Sequence, residues 1–96
     1  MTALRRLIRL FFNTYYEEDA KRVIEALERE AAPSKVRVTR SRVVPELYYV
    51  EIPLAGVESR EEAARLAEKL AATARAVSDT VFGVKAYVVG WEDSAG

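Results

Sequence analysis

The stretch RRLIRLFFNTYY (residues 5–16) decides the fold, because it supports two incompatible readings. Coiled as a helix, it would bring Leu4, Leu7, Ile8, Phe11 and Tyr15 onto one side. Drawn out as a strand, it sends Ile8, Leu10 and Phe12 one way and Arg5, Leu7, Arg9 and Phe11 the other. Periodicity does not separate the two, so the neighbouring chain must. Thr14-Tyr15-Tyr16-Glu17 has the spacing of a capping box, in which a non-helical threonine takes an amide of the turn that follows. One continuous helix through Thr14 is then disfavoured, and Phe, Ile and Tyr are good strand formers. The strand reading follows.

The rest of the chain falls into place around that strand. Ala20, Val23, Ile24, Leu27 and Ala31 recur at helical spacing and make one apolar stripe, which Pro33 ends. Glu17–Lys21, Glu18–Arg22 and Glu25–Arg29 are i,i+4 pairs with the acid first, the favourable order. Ser59-Arg60-Glu61-Glu62 is a second capping box, followed by a stripe of Ala63, Leu66, Ala67, Leu70, Ala74 and Val77. Between the helices, KVRVTRSRVV (35–44) and ELYYVEIPL (46–54) are rich in β-branched and aromatic residues. Pro45-Glu46 parts them, so they read as a hairpin. TVFGVKAYVVGW (80–91) alternates Phe82, Val84, Ala86 and Val88 against Lys85, Tyr87, Val89 and Trp91, with Gly83 and Gly90 as sites for a bulge or a close backbone approach.

With an initial strand the order is β-α-β-β-α-β. This predicts a ferredoxin-like α+β sandwich, a four-stranded antiparallel sheet in the order 4-1-3-2 with both helices on one face. Residues 1–92 are expected to form one domain and 93–96 a flexible tail.

Composition narrows the chemistry. The 96 residues include no cysteine and no histidine, which removes disulfides, thiolate catalysis and cysteine metal sites together. Arg9 interrupts the most apolar N-terminal run, far short of the roughly 18 apolar residues a membrane span needs. No small-residue cleavage site follows it, and Tyr15 and Tyr16 run straight into a helix start, so neither a secretory signal nor an organellar leader is expected. The expectation is a soluble, cytoplasmic domain without a cofactor or a metal.

A ferredoxin-like sheet leaves one face open. The more apolar parity puts Ile8, Leu10, Phe12, Val36, Val38, Tyr48, Val50, Ile52, Leu54, Phe82, Val84, Ala86 and Val88 beneath the helices. The open face then carries Arg5, Leu7, Arg9, Phe11, Arg37, Thr39, Tyr49, Glu51, Lys85, Tyr87, Val89 and Trp91. That set is too apolar to be left to water and points to an interaction site. Charge is partitioned as well. The strand segments 4–12, 35–44, 46–54 and 81–91 carry +3, +4, −2 and +1, while the first helix (15–32) carries −3 in a chain of zero net charge. A positive sheet beside an acidic helix suits an anionic partner. Basic residues on an edge strand also deter strand-to-strand aggregation, which accounts for Lys35, Arg37, Arg40 and Arg42 without any ligand.

Within this strand order, LFFNT (10–14) resembles a shortened first-strand signature of the RNA-recognition motif, with Phe11 in the stacking place and Asn13 one position early. The family's third strand carries several aromatics. Here ELYYVEIP offers only Tyr49 on the open face, and Glu51 stands where a second ring would lie. The likeness is one of element order and half a motif. It implies single-stranded nucleic-acid binding as an alternative use of the face. Acylphosphatases share the fold but need a glycine-rich anion loop with an arginine after the first strand. The corresponding NTYYEED (13–19) is acidic and has no glycine. An iron–sulfur cluster would need thiolates, and no phosphate loop, dinucleotide fingerprint or metal-ligand spacing occurs. Glu17, Glu18, Glu61 and Glu62 lie in first helical turns, where they complement the helix dipole.

The expectation is therefore a non-catalytic interaction domain. Its open face pairs with a second copy or another protein, anchored by Leu7, Phe11, Tyr49, Tyr87, Val89 and Trp91 with Arg5, Arg9 and Lys85 around them. Binding at a membrane surface would need residues 4–16 to be helical.

Overall fold

The contested stretch is extended from Leu7 to Asn13. A computed structural model describes residues 6–90, and within it Leu7–Asn13 forms strand β1. The elements that follow are α1 (Glu17–Ala31), β2 (Arg37–Arg40), β3 (Leu47–Pro53), α2 (Arg60–Val77) and β4 (Phe82–Val89). The four strands make one antiparallel sheet in the order β2-β3-β1-β4, the ferredoxin-like arrangement. β1 is therefore an inner strand, bonded to β3 on one side and β4 on the other. Arg5, Trp91 and the tail 93–96 lie outside the described residues.

Period-two alternation builds the core. Ile8, Leu10 and Phe12 pair with Ile52, Val50 and Tyr48 across the β1–β3 ladder. These side chains meet Ala20, Val23 and Leu27 of α1 and Ala67, Leu70, Ala71 and Ala74 of α2. Fully burying side chains such as Ile8, Leu10 or Leu27 stabilises the fold by about 1.5–3 kcal/mol each. The alanines of α2 carry little bulk, which brings that helix close to the strands it covers.

Several local expectations give way. Thr14 does not cap α1: the N-cap is Tyr16, with no side-chain cap bond. The Thr14 hydroxyl accepts from the Tyr16 amide at 3.2 Å and shares a hydrogen bond with the Thr80 hydroxyl, also at 3.2 Å. Its own amide donates to the Glu46 carbonyl, so Thr14 prolongs the sheet and is buried. At α2 the expected box is present on one side. The Glu62 amide donates to the Ser59 hydroxyl at 3.0 Å, and the Glu62 carboxylate accepts from the amide of Glu58 rather than Ser59.

None of the three i,i+4 pairs of α1 closes. Glu17 instead pairs with Arg40 at 3.0 Å and Arg22 with Asp19 at 3.3 Å. Asp19 also accepts from the hydroxyls of Thr80 at 2.5 Å and Ser78 at 3.2 Å, tying the first turn of α1 to the loop before β4. These bonds, the Thr80 one foremost, hold its carboxyl below the usual carboxylate range against the opposing effect of burial.

β2 is shorter than its sequence suggests. The Ser41 hydroxyl accepts from the amides of Val43 and Val44 and turns the chain before a longer ladder forms. Val38, on the core parity, is 39% exposed because β2 is the sheet edge. Phe82 also departs from its expected place in the core. A bulge shifts the β1–β4 register between Phe11 and Asn13, so that Phe82 pairs with Asn13. Gly83 accommodates the bulge at φ +62°, a conformation that costs other residues about 1–2 kcal/mol.

Candidate interaction surface

The helix-free face of the sheet is laid out in rows fixed by the register. Thr39, Tyr49, Phe11 and Lys85 form one row, and Arg37, Glu51, Arg9 and Tyr87 the next. Leu7 pairs with Pro53 and Val89 at one end, and Asn13 with Leu47 and Phe82 at the other.

Aromatic rings hold the centre. Phe11 stacks on Tyr49 with centroids 5.1 Å apart and meets Tyr87 edge-on at 6.1 Å. The Arg9 guanidinium stands 6.0 Å from the centroid of the Tyr49 ring. Phe11 and Tyr49 are half-buried, while Tyr87 is 50% exposed. The Tyr49 hydroxyl donates to the Glu51 carboxylate at 2.5 Å, and Arg9 approaches the same oxygen at 3.8 Å. Burial raises the Tyr49 phenol above its ordinary range, and the hydrogen bond to Glu51 and its negative charge push the same way. Glu51 is thus committed to its neighbours.

Of the expected site residues, Phe11, Tyr49, Tyr87, Arg9, Lys85 and Val89 share this face. Arg5 and Trp91 lie outside the described residues. Leu7 occupies its expected register but is 9% exposed, already largely covered within the chain and with little area left to offer a partner. Two residues escaped the sequence reading. Tyr15, 70% exposed, stacks on the bulge-shifted Phe82 at 5.7 Å, while the Asn13 side-chain amide donates to the Phe82 carbonyl. Gly83 was the available signal, since an extra residue there reverses the parity of everything on its far side.

The edge arginines separate in the same way. Arg40 is used internally: it pairs with Glu17, donates to the Pro45 carbonyl at 2.8 Å and lies over the Tyr48 ring. Arg37 remains on the open side of β2.

A cleft of about 400 Å³ between α2 and β4 is lined by Ala67, Glu68, Ala71, Arg75 and Ala86. Arg75 is committed there to the Val84 carbonyl at 3.2 Å. Among the described residues no group of three or more acidic side chains is placed to hold a metal ion, and no helix is long and apolar enough to cross a membrane.

No protein-family model and no curated protein matches the chain. Among solved structures it is similar to the de novo designed protein Foldit4, at 20% identity and a TM-score of 0.57 over 88% of this chain and 96% of that one. It also aligns with a protein from Thermus thermophilus described as PII-like and signaling, at 20% identity and a TM-score of 0.44 over 91% and 87%. The first likeness is one of fold alone. The second is too loose a superposition to bear on function.

Proposed function

We propose that this protein is a non-catalytic interaction domain whose open sheet face pairs with a protein surface, in the simplest case that of a second copy. The half-exposed aromatic cluster of Phe11, Tyr49 and Tyr87 at the centre of an uncovered sheet carries this reading. Rings packed against one another, with Arg9 and Lys85 beside them, have the composition of an interface core with a charged rim. A two-fold contact needs only this one surface.

The direct test is molar mass by light scattering. Wild type is expected to run as a dimer, and Phe11→Asp as a folded monomer with an unchanged circular dichroism spectrum. Salt gives a second readout. Like-charged rims face each other in a self-pair, so salt should tighten it by screening their repulsion. A wild-type monomer at every concentration would remove self-pairing.

Single-stranded nucleic acid is the second reading. Arg9, Arg37 and Lys85 lie around the stacked rings, and Glu51 is engaged by Tyr49 and Arg9. Stacking on such a platform tolerates any base. This mode has the opposite salt dependence, because each phosphate contact releases counterions and binding falls as salt rises.

A further inference from the structure

At one end of the open face, the start of β1, the end of β3 and the chain entering β2 enclose a basin of about 460 Å³. Its walls are Arg6, Leu7, Lys35, Arg37, Glu51 and Pro53. Leu7 and Pro53 face each other in the β1–β3 ladder at its base, where Leu7 is nearly covered and the exposed Pro53 ring supplies the apolar surface. Three cations and one acid stand around it, and that acid is the Glu51 already held by the Tyr49 hydroxyl and Arg9. Among the described residues neither Lys35 nor Arg37 has a carboxylate within ion-pair distance.

Edge protection alone does not require this convergence. A charge that guards an edge serves in any direction, whereas Lys35 and Arg37, at and just before β2, border the same hollow as Arg6, just before the inner strand β1. We propose that the basin binds a phosphate monoester carrying a flat apolar body, a ligand of nucleoside monophosphate size. An arginine fork matches phosphate oxygens two at a time, and a lysine adds a point charge. The volume lies in the range of small-molecule sites, and the exposed Pro53 offers the body an apolar surface. This site stands apart from self-pairing, since Phe11, Tyr49 and Tyr87 are not among its walls.

The phosphate could belong to a free nucleotide or to the end of a single strand, and the probes separate the two. AMP, adenosine, inorganic phosphate and a short oligonucleotide with and without a terminal phosphate are titrated into the full chain, with amide NMR shifts as readout. AMP is expected to move the amides of Leu7, Arg37 and Glu51, and to bind at least roughly tenfold tighter than adenosine. Arg37→Glu should weaken AMP by roughly ten- to a hundredfold with the fold intact, because Arg37 is exposed and makes no ion pair among the described residues. Phe11→Asp should leave AMP binding unchanged, so failure of the self-pairing interface and failure of this site are told apart. An end-phosphorylated strand that binds tighter than AMP assigns the site to nucleic-acid ends, and equal affinity assigns it to free nucleotides. Equal binding of AMP and adenosine, silent amides at millimolar AMP, or an indifferent Arg37→Glu variant would overturn the proposal.

Discussion

Two stacked pairs lie side by side in the β1–β3 ladder and lead opposite lives. Phe12 and Tyr48 stack at 5.0 Å under the helices, and both are buried. One residue along each strand, Phe11 and Tyr49 stack at 5.1 Å on the open side with no helix over them. The residue types and the ladder are the same, the interplanar angle opens from 5° to 29°, and the cover is what separates their surroundings. The lesson is that an aromatic pair owes its role to what lies above it. Beneath α1 and α2 it is core. On the open face the same pair is only half-buried.

Matched truncations on the two sides give the largest expected difference. Phe12→Ala removes a fully buried ring, and urea unfolding should show a loss of about 3–5 kcal/mol. Phe11→Ala keeps the covered core and should cost no more than about 1 kcal/mol in the monomer. Equal losses would mean that the open pair is as structural as the covered one.

The bulge sets the far limit of the open face. Gly83→Ala would place a Cβ 2.6 Å from the Asn13 side-chain amide and hold alanine at φ +62°. Asn13 can swing aside, so the expected loss is mainly the backbone strain of about 1–2 kcal/mol. A neutral or stabilising result would show that the register slips and Phe82 returns to the core side.

Titration supplies smaller effects at opposite ends of the pH scale. Asp19, with its carboxyl held low in the folded state, contributes stability above its unfolded value and loses it as pH falls through the folded one. The stability gap between wild type and Asp19→Asn should therefore close below the usual carboxylate range. Tyr49 has the reverse sign. Its raised phenol contributes stability below the ordinary tyrosine range, and this is lost as pH rises through the folded value. Subtracting the ultraviolet titration of Tyr49→Phe from that of wild type should place its ionisation above the ordinary range, and Glu51→Gln should lower it. A Tyr49 that ionises normally would mean that its contact with Glu51 is not formed in solution.

Much of this was legible in the sequence because period-two alternation and helical stripes are local signals. The core residues of β1 and β3 follow from them, while the second helix start at Ser59 was marked by its capping box and the strand order by the β-α-β-β-α-β succession of elements. What was not legible depended on contacts between distant segments. Thr14 carries a capping sequence, yet its amide is taken by Glu46 and its hydroxyl lies beside Thr80. Ser41 ends β2 by a side-chain bond that competes with the ladder. Phe82 is displaced by an extra residue at Gly83 whose presence a single sequence signals but does not place. Leu7 shows the same limit, because its parity was readable and its cover was not.

A dilution series followed through the aromatic ring NMR signals tests the open face most directly. If that face pairs two copies, the rings of Phe11, Tyr49 and Tyr87 should shift together with concentration while those of Phe12 and Tyr48 stay fixed. Open-face rings that ignore concentration, or shifts confined to α1 and α2, would contradict a working surface there.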